Sequence, residues 1–550
     1  MAATVTLDGT NITLADTITG WAQVRIRGTG GLPTISDSTD VFLQGGHAVT
    51  SRSTNSRLWL YFDNTTGLNF STTHAGKHIS IWANFLAAGL LQLSTYVSGS
   101  DRGGLCLCLG STTANYSYWN MGGSDTYPGG WVRLTIDPSK TASGTAGTGL
   151  DLTSVRYFGV IFDTTTTAKF DNAIIDRIDY GYGLIAKGTS TSNNLFGDIL
   201  AADEGDATNG KFGYVRSDQG IYYVQGRITL GDNVGTTAST LTDLDKVVVF
   251  ESKKYMNSSS AWVDAVATGF HGLRRVGNNT NGTSLQFGTK VGTGDTASGR
   301  NGLTILSAGQ NVTIDFDDGH TGTGRDLKLY GTTFRYIQTL IQVGNVGTFE
   351  FIGCTVDQCA KLEPQITIVR ALVLSNTLST TGALLWNESI NIKYSNFIAN
   401  TTGAAIDHPS AAGTPYSYTA MMFSGNTYDV RNSSGGAIVI SCYTNSNPTT
   451  HTESAGGSTA FDNPKTLSIT SLVSGTEIHV YKESDLTEYW GTESSGTEWS
   501  HGYNADDTPI FITLIKPGYK WVRYSGLTFG AAGISIIATQ QADLGYNNPA

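Results

Sequence analysis

Charged residues are scarce in this sequence: Asp, Glu, Lys and Arg make up 14% of its 550 residues, against about 25% in an average soluble protein. Helix-rich enzymes and coiled coils need charged solvent faces and strong helix formers, so the shortage argues against both classes. Acidic residues outnumber basic ones by 45 to 34, which gives a net charge of −11, and no run of Lys or Arg exceeds two residues. A nucleic acid is therefore not an expected partner, because its phosphates would need a basic surface.

Cysteine is equally scarce. There are five cysteines, an odd number, and no pair or Cys/His cluster has the spacing of zinc ligands. Cys106 and Cys108 lie two residues apart on a predicted strand, where their side chains share one face and are poorly placed to bridge each other. Buried free thiols are therefore expected in place of a disulfide framework.

Long apolar runs are also missing. The longest uncharged stretch, residues 79–100, contains Asn84, Gln92 and several hydroxyl residues, which favours two adjacent strands over a membrane span. The N-terminus shows no basic segment followed by an apolar one, so no secretory signal is expected. These absences predict a soluble protein without membrane insertion.

The residue that the sequence has in quantity is glycine, at 67 positions, together with many Val, Ile, Thr and Tyr residues and evenly spaced turns. This composition predicts an all-β protein of several domains. Short strand patterns at intervals near ten residues through residues 1–180 predict a jelly-roll β-sandwich. Residues 181–220 are interpreted as a connecting segment, and alternating apolar residues within 460–550 predict a small Ig-like β-sandwich with a tail.

An eight-residue pattern recurs five times between about residues 300 and 430, with starts 22, 22, 19 and 31 residues apart. A period near 20 residues with a bend inside each copy predicts a parallel β-helix over residues 221–450. Each coil would bury its inward side chains against the coils above and below. The copies are LKLYGTTF from Leu327, FEFIGCTV from Phe349, ALVLSNTL from Ala371, INIKYSNF from Ile390 and MMFSGNTY from Met421.

The β-helix interpretation also predicts which residues stack on neighbouring coils. The five starting residues would form one column. The last position of each copy would form an interior column, and the position before it a polar column. The interior column would contain Phe334, Val356, Leu378, Phe397 and Tyr428, and the polar column Thr333, Thr355, Thr377, Asn396 and Thr427.

The repeats, the GRNGLTIL stretch before them and the segment SLVSGTEIHVYKESDLTEYWGTESSGTEWS after them resemble structural proteins of tailed bacteriophages. Such proteins string together jelly rolls, right-handed β-helices and small sandwiches. The resemblance implies a right-handed helix, a place in the virion after assembly in the host cytoplasm, and a spike, fibre or capsid-surface role in assembly and host attachment. The partners it implies are other virion proteins and a host surface glycan, with a homotrimer as the oligomeric state.

The segments GGWVRLTIDPS, GLDLTSVRYFGVIF and KFDNAIIDRIDY are similar to the end of carbohydrate-binding jelly rolls. Sugars stack on exposed aromatic faces, and Trp119, Tyr127 and Trp131, around the GGSDTYPGG loop, are the candidates. The alternative is that these rings fill the sandwich core. Related modules sometimes hold a structural calcium ion, for which Asp171 and Asp176 are weak candidates, with backbone capping as the alternative. No cofactor is expected.

The densest acidic cluster, DFDDGH, contains Asp315, Asp317 and Asp318. Phage β-helix spikes often cleave polysaccharides with two carboxylates, so one of these residues would be a general acid and another a base or nucleophile. The alternative is a solvated turn, a common use of Asp-Asp-Gly. Acidic and imidazole groups on neighbouring coils are further candidates: Glu388, Asp407, His408 and Asp429. We therefore expect a non-enzymatic structural and adhesive protein, with a tailspike depolymerase as the alternative.

Overall fold

The computed structural model of the chain divides into two compact units, Met1–Leu384 and Leu385–Ala550. It describes residues 2–545 with short gaps. The residues outside the description are 1, 29–31, 44, 52–55, 87–90, 93–104, 123–125, 128–130, 164–171, 206–211, 233–237, 252–253, 260, 267–269, 278–281, 295–296, 309–311, 318–324, 339–340, 344–346, 365–368, 375–381, 387–391, 413, 444–445, 455, 463–464, 504–507, 530–532, 544 and 546–550.

Strands account for 59% of the residues and helix for 2%, and the strands form several sheets, none of which closes on itself among the described residues. The predicted all-β class is confirmed. One helix, Leu195–Gly205, lies among them. All five cysteines are buried and free, as expected.

Within residues 1–187, antiparallel strands form two sheets that share one core. In the first sheet Asn172–Lys187 pairs with His78–Leu86, Thr4–Thr13 and Ala48–Ser51; Trp131–Ile136 extends it from His78–Leu86, and Ser36–Ser38 from Ala48–Ser51. The second sheet has the order Trp21–Gly28, Ser56–Leu68, Val155–Asp163, Leu105–Gly110 and Tyr116–Gly122, with Gly144–Ala146 on the last strand. A separate pair joins Leu91–Gln92 to Thr126–Tyr127.

Successive side chains of a strand point to opposite faces of the sheet, and in the second sheet both faces are apolar. Leu58 and Leu60 point into the core shared with the first sheet. Trp59 and Tyr61, one residue out of phase, pack on the other face in a second cluster that includes Tyr118. Both faces of this sheet are therefore covered by buried side chains.

Strand Asn172–Lys187 joins the antiparallel sheets to a region of parallel pairing. Its residues Gly183, Leu184, Ile185 and Ala186 pair in parallel with Arg227–Leu230. This first parallel ladder continues through His271–Arg275, Val312–Asp315, Ile341–Val343, Leu362–Pro364 and Gly382–Leu385.

Two further parallel ladders consist of strands that alternate along the chain with those of the first. One consists of Ser239–Asp243, Thr283–Phe287, Leu327–Tyr330 and Phe349–Asp357. The other consists of Ile221–Gln225, Val247–Glu251, Thr304–Ser307, Thr333–Arg335, Phe349–Asp357 and Val369–Leu374. Antiparallel additions are Val215–Asp218 on Ile221–Gln225, and the hairpins Lys254–Met256 with Trp262–Asp264 and Thr289–Val291 with Ser298–Arg300.

The second unit also begins with parallel pairs. Asn396–Ile398 pairs with Met422–Ser424. A second ladder consists of Ala404–His408, Tyr428–Asn432 and His451–Glu453. A third consists of Tyr416–Thr419, Ala437–Tyr443 and Ser458–Asp462.

Two small sheets with one core follow. Their strand orders are Glu498–Tyr503, Lys465–Thr470, Ile534–Ile537, and Glu488–Glu493, Glu477–Lys482, Pro509–Ile515, Val522–Thr528.

The predicted stacking of the repeats is confirmed between the first two copies. Each of the three predicted columns has its pair in register there. The pairs are Leu327 with Phe349, Thr333 with Thr355 and Phe334 with Val356.

The register predicted for the third copy is wrong. Ala371 pairs with Cys354 and not with Phe349. The register shifts between Ile352 and Cys354, where Gly353 adopts a φ of 65° that favours glycine. The offset is already 18 residues where Phe351 pairs with Val369 and becomes 17 after the bulge, against the predicted 22, so the coil is shorter than the spacing of the copies. The predicted partners Thr377 and Leu378 lie outside the described residues.

The register predicted for the last two copies is also wrong. Phe397 pairs with Phe423, not with Tyr428, and Asn396 pairs with Met422, not with Thr427. The two phenylalanine rings stack with centroids 5.2 Å apart in the interior, whereas Tyr428 is 40% exposed. Burial of the second aromatic ring therefore decides this register. The starting residue Ile390 lies outside the described residues.

Phe334 tests the stacked interior, because its ring lies between Phe316 and Phe351 with centroids 6.3 and 6.5 Å away. Phe334→Ala removes these contacts and leaves a cavity, so the free energy of unfolding should fall by about 3–5 kcal/mol. The control is Thr333→Ala at the half-buried neighbour, which should change it by at most about 0.5 kcal/mol. Urea unfolding measures both values, and equal losses would contradict the packed interior.

Candidate functional site

The three aromatic residues predicted to bind glycans do not form one surface. Trp119 is 1% exposed, lies in the core and donates from its indole Nε1 to the Lys140 carbonyl over 3.1 Å. Trp131 is half-buried on the other sheet. Tyr127 lies on a two-residue strand whose side chains are outside the described part. Trp119 is therefore a core residue and offers no face to a sugar.

The acidic cluster DFDDGH forms a local turn where it is described. Asp315 ends a strand of the first parallel ladder, opposite Arg274, and accepts a hydrogen bond of 3.1 Å from the Asp317 amide. Burial raises the pKa of Asp315, partly offset by that amide. Asp318 lies outside the described residues, so the structure places two of the three candidates next to each other in a turn.

The acidic and imidazole groups of the second unit have structural partners. Asp407 accepts from the Ser433 hydroxyl over 2.6 Å, and Asp429 accepts from the Thr450 amide over 3.1 Å. His408 is buried against Tyr418, 2.8 Å from its hydroxyl, and burial lowers its pKa to about 3. Glu388 lies outside the described residues.

The weak calcium candidates do not form a described cluster. Asp171 is outside the described residues, and the buried Asp176 accepts a hydrogen bond from the Leu43 amide. Over the part of the chain that the structure describes, no group of three or more His, Cys, Asp or Glu side chains is arranged to hold a metal ion.

A cleft of about 170 Å³ lies in the first unit beside the end of the helix. We call it the Trp82 cleft. It collects residues from the loop before Ala48–Ser51, from strand His78–Leu86, from the helix and from the hairpin Val215–Gln225. Its lining residues are Leu43, Trp82, Asp203, Gly213, Tyr214, Val215, Arg216, Tyr223 and Gln225.

The Asp203 side chain shapes one wall of the cleft. It is 1% exposed in the last turn of the helix and accepts hydrogen bonds from the amides of Tyr214 and Val215, at 3.2 and 2.7 Å. These bonds fold the chain back against the helix end. Gly213, the residue before Tyr214, has a φ of 72°, and a Cβ on it would lie 2.1 Å from the Trp82 ring. Only glycine allows this turn to pack on the indole.

Asp203 is also the carboxyl group of the cleft lining. Burial raises its pKa from the ordinary 3.8 to about 6, although the backbone amides of Val215 and Tyr214 favour the ionised form. A third backbone amide, that of Gly213, also favours the ionised form, so three amides leave one of the four lone pairs of the carboxyl oxygens for a proton. The group can therefore hold a proton near neutral pH, as a general acid must.

One aromatic ring and one ion pair shape another part of the cleft. The Arg216 guanidinium lies 3.9 Å from the centre of the Tyr223 ring and 2.9 Å from a Glu251 carboxylate oxygen. Gln225 donates from its Nε2 to the other Glu251 oxygen over 2.9 Å. Glu251 thus fixes two lining side chains at once and neutralises the arginine.

Two polar atoms of the lining have no hydrogen-bond partner among the described residues. They are the indole Nε1 of Trp82, a donor, and the amide Oε1 of Gln225, an acceptor, and both are shielded from solvent. Buried polar atoms in proteins are nearly always paired. Because both atoms lie beneath the surface of the lining, a molecule that pairs with them must displace the groups that cover them, and it must both accept and donate a hydrogen bond.

The sequence analysis missed this cleft. Trp82 was assigned only to a predicted strand, and Asp203 fell in residues 181–220, interpreted as a connecting segment. A signal was present in GYVRSDQGIYYVQG, whose alternation around Gln-Gly matches the antiparallel hairpin Val215–Gln225. Its aromatic residues could have been added to the candidates.

No family model matches the chain, and no curated protein matches it. Solved structures that match include an exo-beta-agarase, with 10% identity and a TM-score of 0.21 over 31% of this chain and 24% of that one. Two others are the catalytic domain of a GH87 alpha-1,3-glucanase with nigerose, at 11% identity and a TM-score of 0.19, and with tetrasaccharides, at 10% and 0.16. Each of these two covers 89% of this chain and 79% of that one.

The expectation of a non-enzymatic protein is corrected by these matches, because four of them are catalytic domains of alpha-1,3-glucanases. Their low TM-scores transfer no residue role to this chain. The chain also spans about a quarter of the length of the agarase. Among the described residues, no helix has the length and apolar character of a membrane span.

The raised pKa of Asp203 predicts a pH dependence of stability. Its carboxyl ionises near 3.8 in the unfolded chain and near 6 in the fold, so between these values the folded state binds more protons and loses stability as the pH rises. Asp203→Asn stays neutral. The stability of the natural protein relative to this variant should fall by about 1–3 kcal/mol between about pH 4 and pH 7. Urea unfolding across this range measures it, and a constant difference would contradict the assignment.

Proposed function

We propose that this protein is a polysaccharide-cleaving component of a tailed-bacteriophage virion, which binds a host surface glycan in the Trp82 cleft. The observation that carries the proposal is the combination in one cleft of aromatic rings, an unpaired donor and acceptor, and a carboxyl group with a pKa of about 6. Sugar rings present C–H faces to aromatic rings and hydroxyl groups to polar atoms, so this lining suits them.

The architecture of the proposal is a jelly roll, a right-handed β-helix and a small Ig-like sandwich in series. The two antiparallel sheets of residues 1–187 support the first, and the three parallel ladders after them support the second. Parallel crossovers are nearly always right-handed. The two small sheets that follow Lys465 support the third.

The cleavage step is assigned to Asp203 in the lining of the cleft and to Glu251, which holds two lining side chains from outside it. Asp203 would protonate the leaving oxygen as the glycosidic bond breaks, since a catalytic acid needs a pKa near the working pH. Glu251 would be the second carboxylate and take a proton from the water that attacks the anomeric carbon. The turn containing Asp315 and Asp317 is the alternative site on the same unit.

The virion location and the partners of the proposal rest on the resemblance to phage structural proteins. Binding of a host glycan would hold the particle at the cell surface, and other virion subunits would anchor the chain. The ends of stacked ladders expose unpaired backbone groups and need capping by such neighbours or by copies of this chain. A homotrimer is the proposed state.

Loss of the Trp82 ring tests glycan binding. With polysaccharides from bacterial cell surfaces as ligands, Trp82→Ala should weaken binding at least about tenfold, or about 1.4 kcal/mol, because it removes the stacking face and the donor. Trp82→Phe keeps an aromatic ring, so its affinity should lie between those of the natural protein and Trp82→Ala. Isothermal titration calorimetry measures the constants.

The matched control is Trp262→Ala. Trp262 is 46% exposed on the outer strand of the hairpin that extends the second sheet from Tyr116–Gly122, and it does not line the cleft. Its loss should therefore leave the affinity unchanged. Equal weakening by Trp82→Ala and Trp262→Ala would remove the cleft from the proposal.

Release of new reducing ends from the same polysaccharides tests cleavage. Asp203→Asn and Glu251→Gln should each reduce the rate at least about a hundredfold, the scale of general acid–base catalysis. Asp315→Ala and Asp317→Ala should leave the rate unchanged. The opposite pattern would move the chemistry to the turn, and no release by the natural protein on a polysaccharide that it binds would contradict the cleavage step.

A further inference from the structure

We infer that the Trp82 cleft takes a single uncharged sugar residue, at the end of a glycan chain or on a side branch, in preference to a run of sugars or an acidic glycan. The inference rests on the proposed function and specifies its ligand. It follows from the size of the cleft, the charges around it and the two unpaired polar atoms.

The volume of the cleft sets the size of its occupant. A cavity of about 150 Å³ accommodates one benzene molecule, and sites for drug-sized ligands measure about 300–1,000 Å³. At about 170 Å³ the cleft has room for one six-membered ring. Several contiguous sugars would need an extended groove, whereas this lining is gathered from a loop, a strand, the helix end and a hairpin around one small space.

The charges of the lining disfavour an anionic ligand. Arg216 is the cationic side chain of the lining, and it is paired with Glu251 and stacked on Tyr223. Asp203 adds a negative charge whenever it is ionised. Within the described lining, the charge of the one cationic side chain is therefore already neutralised, and an acidic sugar would meet the negative charges of Glu251 and of ionised Asp203, which oppose its transfer into the cleft.

The two unpaired atoms match a sugar hydroxyl group. Both atoms lie beneath the surface of the lining, so a sugar must displace the groups that cover them. A hydroxyl both donates and accepts hydrogen bonds, so the hydroxyls of a neutral ring in that position accept from Trp82 Nε1 and donate to Gln225 Oε1. Leaving either atom unpaired costs about 1–3 kcal/mol. A ligand that satisfies both recovers that cost, which a purely apolar ring could not do.

The test uses calorimetry to compare the binding of neutral and acidic oligosaccharides to the full chain. The three neutral series are malto-, cello- and chito-oligosaccharides of one to six residues, and the acidic series is oligogalacturonates of the same lengths. For at least one neutral series we expect affinity to change less than about threefold from two to six residues. That series should bind at least about tenfold more tightly than the acidic one and lose binding in Trp82→Ala.

Affinity that rises tenfold or more between two and six residues would overturn the single-residue inference, and tighter binding of oligogalacturonates would overturn the preference for neutral sugars. In both cases the proposed glycan binding would stand. Gln225→Leu provides a check on the acceptor, because it keeps the size of the side chain, and it should weaken binding of the neutral series by about tenfold. If no series and no cell-surface polysaccharide bound, the proposed function itself would be contradicted.

Discussion

Strand Asn172–Lys187 is the constraint on which the first unit depends, because it belongs to two kinds of sheet. Its first residues pair antiparallel with His78–Leu86 and hold the N-terminal sheets together. Its last residues begin the parallel ladder with Arg227–Leu230. A rigid hydrogen-bonded strand thus fixes the position of the first parallel turn relative to the sandwich, and the Trp82 cleft lies where the two meet.

Buried charges at this junction keep the cleft walls in place. The Arg133 guanidinium, from the sandwich, lies 3.3 Å from the centre of the Tyr214 ring. It also donates a hydrogen bond of 3.1 Å to the main-chain carbonyl of Gln225. The Tyr214 hydroxyl donates to Asp179 on the shared strand over 3.0 Å. Charges this deeply buried are tolerated only when they are paired. These bonds hold Tyr214 and Gln225 in the lining of the cleft.

The sequence predicted the features that depend on local alternation. The all-β class and the pairing of Leu327 with Phe349 follow from apolar residues at a period of two and a spacing of 22 residues. The later register did not follow, because the strand after Phe349–Asp357 pairs at an offset of 17–18 residues although the copies start 22 apart, and because packing decides the stacking of Phe397 on Phe423. Equal spacing of copies therefore predicts the register only where the coil has the length of that spacing.

The functional residues were less predictable for the same reason. Trp119 stands next to a glycine-rich loop, yet the core of two sheets encloses it, a fact that its own neighbours in sequence do not reveal. The cleft unites residues as far apart as Leu43 and Gln225. That the Trp82 indole nitrogen has no partner among the described residues is a property of the folded molecule alone.

We propose that a glycan occupies the Trp82 cleft and bonds to the Trp82 indole. The nitrogen–proton NMR spectrum of the indole groups tests this most directly, with the Trp82 signal assigned from Trp82→Phe. On titration with a bound oligosaccharide, the account predicts a shift of the Trp82 indole signal that saturates with the calorimetric affinity, while the Trp119 signal from the core stays in place. A saturating ligand that leaves the Trp82 signal unmoved would contradict it.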